Sequence, residues 1–122
     1  MVAKSETLNL FTELKALFVS EENWTKKSIA LDKEGNEVYP SNESAFCYCL
    51  IGGIHKVCNV QPGKRYTSSP KVYKMYSILC AVGEIPFGTL ATWNDMYIRT
   101  FEDVVNLIDK AIAFVKESEM EI

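Results

Sequence analysis

The sequence predicts an α+β fold that is mainly α-helical, with about four helices packed around a buried central helix and one small β-hairpin. Four stretches carry apolar residues at helical spacing or helix-start signals, and one short segment places turn residues between two short apolar runs. The chain has 122 residues, of which 48% are apolar and 24% charged, a composition typical of a globular chain with a buried core. We therefore expect a single domain over 1–122.

The first helix is predicted over 5–20. Ser5 is a favourable N-cap residue, since its hydroxyl can accept a hydrogen bond from a first-turn amide. The apolar side chains of this segment fall on about one third of the helical circumference. They are Leu10, Phe11, Leu14, Leu17 and Phe18. This side of the helix is expected to face the core.

A small hairpin is predicted over 29–39. Its two short strands flank the turn residues 33–36, in which Gly35 can adopt a positive φ without steric cost. Pro40 follows directly and cannot continue a strand ladder. The returning strand is therefore expected at 37–39.

The central helix is predicted over 42–56. Residues 45–51 are apolar on nearly every side, which is typical of a buried helix. Gly52 and Gly53 together cost about 2 kcal/mol in a helix interior, so their presence indicates either that another backbone approaches closely or that the helix breaks there. We expect that approach at Gly52, from a neighbouring helix or from the loop around Trp93, and a loss of several kcal/mol in a leucine variant.

A third helix is predicted over 70–82. Ser69 and Pro70 are typical of a helix start, and Gly83 of a helix end. Its core stripe consists of Val72, Met75, Tyr76, Leu79 and Val82. Residues 84–95 contain Pro86 and Gly88 and are expected to be irregular.

The last helix is predicted over 100–118. Thr100 and Asp103 have the spacing of a capping box, with Asp in place of the usual Glu or Gln. The apolar residues that follow form the clearest helical stripe in the chain. They are Phe101, Val104, Val105, Ile108, Ile112 and Val115.

From the charge pattern we expect no broad basic surface and no nucleic-acid partner. The formal net charge is −3, whereas phosphate binding needs clustered Lys and Arg. A small basic and aromatic cluster is expected to be a solvated loop. It comprises Lys64, Arg65, Tyr66, Lys71 and Tyr73.

No apolar run reaches the ~18 residues of a membrane-spanning helix. The first residues turn polar at once, unlike a secretory signal. We expect a cytoplasmic protein without a membrane partner, and four reduced, mostly buried cysteines.

A metal site at Cys47, Cys49, His55 and Cys58 is not expected. Structural zinc needs four ligands that converge on one point. On a helix, Cys47 and Cys49 point about 200° apart and cannot share an ion. No glycine-rich phosphate loop is present either. We expect no cofactor.

Cys49 and His55 are the weak candidates for catalysis. A cysteine nucleophile needs a nearby base, and His55 is the only histidine in the chain. In that scheme Cys49 is the nucleophile, His55 is the base, and Asn94 or Asp95 orients the imidazole of His55. The alternative is that the cysteine is a core residue and the histidine lies near a helix end.

The densest polar cluster is the stretch from Trp93 to Thr100. Asn94, Asp95 and Arg99 are the candidates for ligand binding, because an amide and two opposite charges together suit a polar ligand. The other interpretation is a structural lock in which Asp95 pairs with Arg99 and Trp93 fills the core.

Four short motifs resemble those of an uncharacterised family of small bacterial and phage proteins. They are Trp24-Thr25, Asp32-x-x-Gly35 followed by Pro40, Cys49-x-x-Gly52, and Trp93-Asn94-Asp95-x-x-x-Arg99-Thr100. The resemblance implies a shared fold and a cytoplasmic origin, and it implies no activity, because the family is a domain of unknown function.

Two functions are consistent with these observations. The first is a non-enzymatic accessory protein that binds a protein partner or a small ligand. The alternative is a small cysteine-dependent hydrolase or transferase with Cys49 as the nucleophile. A buried Cys49 far from His55 would contradict the enzyme.

Overall fold

The structure, a computed structural model, describes residues 2–62 and 69–118. In these ranges the chain forms five α-helices, two short strands and a 3₁₀ turn. The helices are α1 (Lys4–Leu17), α2 (Leu50–Val57), α3 (Pro70–Gly83), α4 (Leu90–Asp95) and α5 (Phe101–Glu117), the strands are β1 (Ala30–Leu31) and β2 (Cys47–Tyr48), and the turn is Glu21–Asn23. The predicted mainly helical α+β class is confirmed.

The core lies between α1, α3 and α5. Helix α5 packs against both of the others, because its apolar stripe faces them. Fully buried side chains from all three meet there, among them Phe11, Leu14, Met75, Leu79, Val104 and Ile108. Helix α2 contacts α1, α3 and α4, and buries Leu50 and Ile54 completely. Of residues 45–51, for which burial was predicted, 47–50 are buried and the others are partly buried.

The start of the second helix is predicted wrongly. Helix α2 begins at Leu50 rather than near residue 42, and Cys47 and Tyr48 form strand β2. The side chain of Asn42 accepts a hydrogen bond from the backbone amide of Ser44 at 2.8 Å, and such local bonds compete with a helix. A short apolar run fits a buried strand as well as a buried helix, so periodicity could not separate them.

The hairpin prediction is correct in its turn and only partly correct in its strand pairing, since the amides of Asp32 and Val38 donate to the carbonyls of Asn36 and Ala30. Gly35 has a φ of 86°, and the Asp32 carboxylate accepts hydrogen bonds from the amides of Glu34 and Asn36. However, β1 pairs antiparallel with β2, and the returning segment makes only one bridge, between Leu31 and Glu37. Strand β2 supplies two buried side chains, whereas 37–39 is largely exposed, so burial favours β2.

The ends of α1 also differ from the prediction. The helix begins at Lys4 after Ala3, which makes no side-chain cap, so Ser5 lies inside the first turn. It ends at Leu17, and residues 18–20 lie outside it.

The start of α3 is as predicted. Ser69 accepts a hydrogen bond from the Val72 amide at 3.3 Å, and Pro70 is the first helical residue. The left-handed residue after the helix is Glu84, with a φ of 54°, rather than Gly83. Residues 90–95, expected to be irregular, form the short helix α4. Most of the basic cluster, Lys64 to Tyr66, lies outside the described residues.

The capping box of α5 is present. Thr100 Oγ1 accepts from the Asp103 amide at 3.1 Å, and the Asp103 carboxylate accepts from the Thr100 amide at 3.0 Å. Thr100→Ala is expected to lower the free energy of unfolding by about 1 kcal/mol. The measurement is urea unfolding, with Thr12→Ala, an exposed threonine within α1, as the control. An equal effect of the two variants would contradict the capping role.

Candidate functional site

Asn94 is fully buried, and all its polar positions are used. Its Oδ1 accepts from Trp24 Nε1 at 2.8 Å and from the Leu50 amide at 3.0 Å. Its Nδ2 donates to the Thr25 carbonyl at 3.1 Å and to Asp95 Oδ1 at 2.9 Å. A primary amide offers two lone pairs and two protons, so none remains for a ligand. Asn94 therefore ties α4 to the segment before β1 and to the start of α2.

Asp95 does not pair with Arg99, so that prediction is wrong. Its Oδ1 accepts from the Lys27 amide at 2.9 Å, in addition to the bond from Asn94. Lys27 has a φ of 68°, a conformation that is uncommon for a residue with a side chain. The Asp95 carboxylate therefore stabilises the backbone at Lys27. The two residues are 68 positions apart in the sequence, so sequence reasoning could not predict this contact.

Arg99 closes the loop between α4 and α5. Its Nε donates to the Trp93 carbonyl at 2.9 Å, and its guanidinium carbon lies 3.9 Å from the centre of the Trp93 ring. One terminal nitrogen lies 3.7 Å from the Asp103 carboxylate, and the other contacts Met96 Sδ at 3.2 Å. Trp93 is partly buried at the edge of the core rather than inside it. Contacts of Arg99 therefore close this loop, but they are not the predicted pair of Asp95 with Arg99, and Trp93 does not fill the core as predicted.

The loop closed by Arg99 exposes three consecutive apolar side chains. We call Met96, Tyr97 and Ile98 the apolar tip; they are 41%, 97% and 69% exposed. The Lys26 ammonium holds the loop from outside, since it donates to the Met96 carbonyl at 2.8 Å and reaches the Tyr97 carbonyl at 3.4 Å. The apolar tip is thus exposed on a fixed base. Sequence reasoning missed this feature, although the sequence shows three adjacent apolar residues just before the start of the last predicted helix.

A groove adjoins the apolar tip. It has a volume of about 810 Å³ and is lined by Glu21 and by residues 24–26 and 99–102. Its aromatic residues are Trp24 and Phe101, whose ring centres lie 6.4 Å apart. We call it the aromatic groove. Its charged residues are two cations, Lys26 and Arg99, and two acids, Glu21 and Glu102. The surface can therefore receive an aromatic group between charges of both signs.

Cys49 is buried at the N-cap of α2. Its Sγ accepts from the Gly52 amide at 3.3 Å, and the thiol lines a cavity of about 240 Å³ together with Asp95. Burial raises the pKa of the Cys49 thiol above its ordinary value, and the nearby Asp95 charge adds to this, against the lowering effect of the α2 amides. The protonated thiol is a poor nucleophile.

His55 lies in the last turn of α2 and is buried. It follows Cys49, the N-cap residue, by six positions, which in helical geometry corresponds to a rise of about 9 Å and a rotation of about 240°. The cavity at Cys49 is lined by residues 27–29 and by Ile51, Ala91 and Asp95, without His55. The fold therefore places the two catalytic candidates on different sides of the helix.

The pKa of His55 is lowered by burial, which gives a stability prediction. In the unfolded chain the imidazole has its ordinary pKa of 6.5. Near and below that pH, the unfolded chain binds a proton more readily than the folded chain does. The free energy of unfolding should therefore fall as the pH is lowered from about 7 to about 5. Urea unfolding across this range measures the effect, and His55→Gln should flatten the profile.

Two carboxyls with lowered pKa do not interfere with that measurement. The pKa values of Asp32 and Asp103 lie below the ordinary 3.8, chiefly because backbone amides of Asn36 and Thr100 donate to them. Their contributions to stability are present above 3.8 and are lost only at lower pH. A slope retained in the His55→Gln protein would contradict the assignment to this histidine.

The four cysteines all lie in the described ranges, and each is a free thiol. Among the described residues, no three His, Cys, Asp or Glu side chains are placed to hold a metal ion. In the same ranges, no helix has both the length and the apolar character needed to cross a bilayer.

The match to known proteins covers nearly the whole of this fold. Residues 4–114 match the model of a family of unknown function, DUF6197, and the chain belongs to that family. The match includes all five helices except the end of α5, and it contains the Asn94 network, the apolar tip and the aromatic groove. No curated protein and no solved structure matches the chain.

Proposed function

We propose that this protein is a non-enzymatic binding protein that recognises a protein partner through the apolar tip and the aromatic groove. The observation that carries the proposal is the exposure of Met96, Tyr97 and Ile98 side by side. Single exposed apolar residues are ordinary, whereas a contiguous exposed patch marks an interaction site.

The base of the apolar tip is held before any partner arrives. Arg99 fixes one side of the loop by its contacts with Trp93 and Met96, and Lys26 fixes the other. A binding loop that is already ordered loses less conformational entropy on association. Of the sequence candidates, Asn94 and Asp95 are therefore assigned to positioning the surface, whereas Arg99 positions the loop and also lines the aromatic groove that faces the partner.

A protein suits this surface better than a small ligand does. The apolar tip protrudes, and a small molecule cannot cover three protruding side chains, whereas the concave surface of another protein can. The aromatic groove beside it is open and carries charges of both signs, as protein interface rims do.

Photo-crosslinking in the source cell tests the proposal. Benzoylphenylalanine at position 97 is expected to give a discrete protein adduct. The matched control is the same residue at position 39, because Tyr39 is also a well exposed tyrosine, at 60%, but lies outside the apolar tip and the groove. Absence of an adduct at position 97, or equal adducts at both positions, would overturn the proposal.

A second candidate, the cysteine-dependent hydrolase or transferase, has one observation in its favour. Cys49 lines a cavity at the start of a helix, where amides lower a thiol pKa. The net effect of burial is nevertheless a raised pKa. At neutral pH we expect iodoacetamide to alkylate Cys49 more slowly than it alkylates glutathione, as followed by peptide mass mapping. Faster alkylation would favour the enzyme.

We also propose that the protein acts in the cytoplasm, either of a bacterium or of the host of a phage that encodes it. The motif resemblance supports the origin. Four free cysteines, three of them buried, support a reducing compartment. Fractionation of the source cell, with detection by antibody, would test the location, and recovery in the envelope or the medium would contradict it.

A further inference from the structure

We propose that the partner is a second copy of this chain, and that each copy inserts its apolar tip into the aromatic groove of the other across a two-fold axis. The inference rests on the proposed function, since it names the partner of the same surface. A two-fold dimer needs a projection and a matching recess on one face, because each copy must offer both to the other.

The apolar tip and the aromatic groove meet this condition. Lys26 lines the groove, and its ammonium donates to the carbonyls of Met96 and Tyr97 in the tip. Arg99 also lines the groove and is the residue directly after the tip. Projection and recess are therefore neighbours that share residues, so one face of the molecule carries both.

The chemistry of the projection fits the recess. Tyr97 is 97% exposed, and the groove is bounded by the partly exposed rings of Trp24 and Phe101. Aromatic rings favour tilted or offset contacts with one another, and a tyrosine keeps its hydroxyl at a polar edge while its ring is buried. The groove volume of about 810 Å³ accommodates a phenol ring with room for Ile98 beside it.

The charges are complementary under the same rotation. The cations Lys26 and Arg99 lie at the base of the apolar tip, as their contacts with Met96 show. The acids Glu21 and Glu102 are exposed residues of the groove. Insertion of one tip into the opposite groove brings the cations of each copy towards the acids of the other. The two pairs balance, so the face does not repel its own copy.

The expected dimer is weak. Each apolar tip covers roughly 300 Å², most of it from the tyrosine, and the opposing groove wall loses a similar area. Two tips and two grooves then bury roughly 1,200 Å², which is the lower end for specific interfaces. Interfaces of this size are typical of weak, transient complexes, so we expect a dissociation constant of the order of 10 µM and an oligomeric state that depends on concentration.

The first test is the solution mass of the purified chain by light scattering after size exclusion, from about 1 µM to about 200 µM, a range that brackets this constant. The mass is expected to rise from 13.8 kDa towards twice that value. Tyr97→Ser should weaken association at least ~10-fold, Tyr97→Phe should retain it, and the control Tyr39→Ser should have no effect. Because Tyr97 and Tyr39 are exposed, these variants keep the fold, which thermal melts verify.

The second test locates the contact. Benzoylphenylalanine at position 97 is photolysed in an equimolar mixture of isotope-labelled and unlabelled chain. The expected product is a mixed-isotope dimer whose adduct maps to Trp24 or Phe101. A chain of constant monomer mass, or a dimer that Tyr97→Ser leaves intact, would overturn the inference. A monomeric chain that still crosslinks a different protein in the cell would overturn the dimer while supporting the proposed function.

Discussion

Gly52→Ala is expected to lower the free energy of unfolding by at least about 3 kcal/mol, or to prevent folding. A Cβ atom at this position would lie 1.8 Å from the carbonyl oxygen of Ile29, which belongs to the backbone. That oxygen already accepts a hydrogen bond from the Cys49 amide at 3.3 Å, so it cannot move away without loss. The gain of about 1 kcal/mol in helix propensity cannot offset the clash.

The adjacent Gly53 provides the matched control. A Cβ atom there would lie 2.9 Å from Leu14 Cδ1 and 3.0 Å from Phe18 Cε2, which are the outer atoms of side chains. Gly53→Ala should therefore change stability by no more than about 1 kcal/mol, because these groups can shift and the helix gains propensity. Urea unfolding of both variants measures the two changes in the free energy of unfolding. Equal stability of Gly52→Ala and the parent would show that α2 does not pack against the segment before β1.

Asn94→Ala is expected to be similarly damaging, with a loss of about 3 to 5 kcal/mol in the free energy of unfolding. The substitution removes four hydrogen bonds, and it leaves the Trp24 indole N–H, the Leu50 amide and the Thr25 carbonyl without their partner in a buried site. Each such group costs about 1–3 kcal/mol when it is desolvated and unpaired.

The control for Asn94 is Asn106→Ala on the exposed side of α5, which should stay within about 0.5 kcal/mol of the parent. Asn94→Asp separates shape from charge. It keeps the acceptor for Trp24 and Leu50, but it places a second carboxylate beside Asp95. Chemical denaturation should rank the three variants with Asn106→Ala the most stable. If Asn94→Ala matched Asn106→Ala, the network would not support the fold.

Features that depend on neighbouring residues were predictable from the sequence. The capping box of Thr100 and Asp103 spans three residues, and the apolar stripe of α5 repeats within a single helix, so each carries its own signal. The start of α3 at Pro70 is of the same kind. The strand at Cys47 was not predictable, because a short apolar run satisfies both a helix and a strand until its partner is known.

Features that depend on distant residues were predictable only in part. A close backbone approach at Gly52 was expected from the cost of glycine in a helix, but the approaching group is Ile29 rather than a helix or the Trp93 loop. For Asn94, the sequence indicated a polar cluster and could not indicate Trp24 and Leu50, 70 and 44 residues away. The Asp95–Arg99 prediction failed because a spacing of four permits a pair only when neither side chain has a better partner.

The shared acceptor at Asn94 has a consequence for hydrogen exchange. The Trp24 indole and the Leu50 amide both donate to the same oxygen, although they belong to different segments of the chain. Both protons are hydrogen-bonded to that oxygen, so a movement of α4 that withdraws Asn94 releases both at once. The two protons should therefore exchange for deuterium with a common opening free energy. That value measures how firmly the base of the apolar tip is attached to the rest of the molecule.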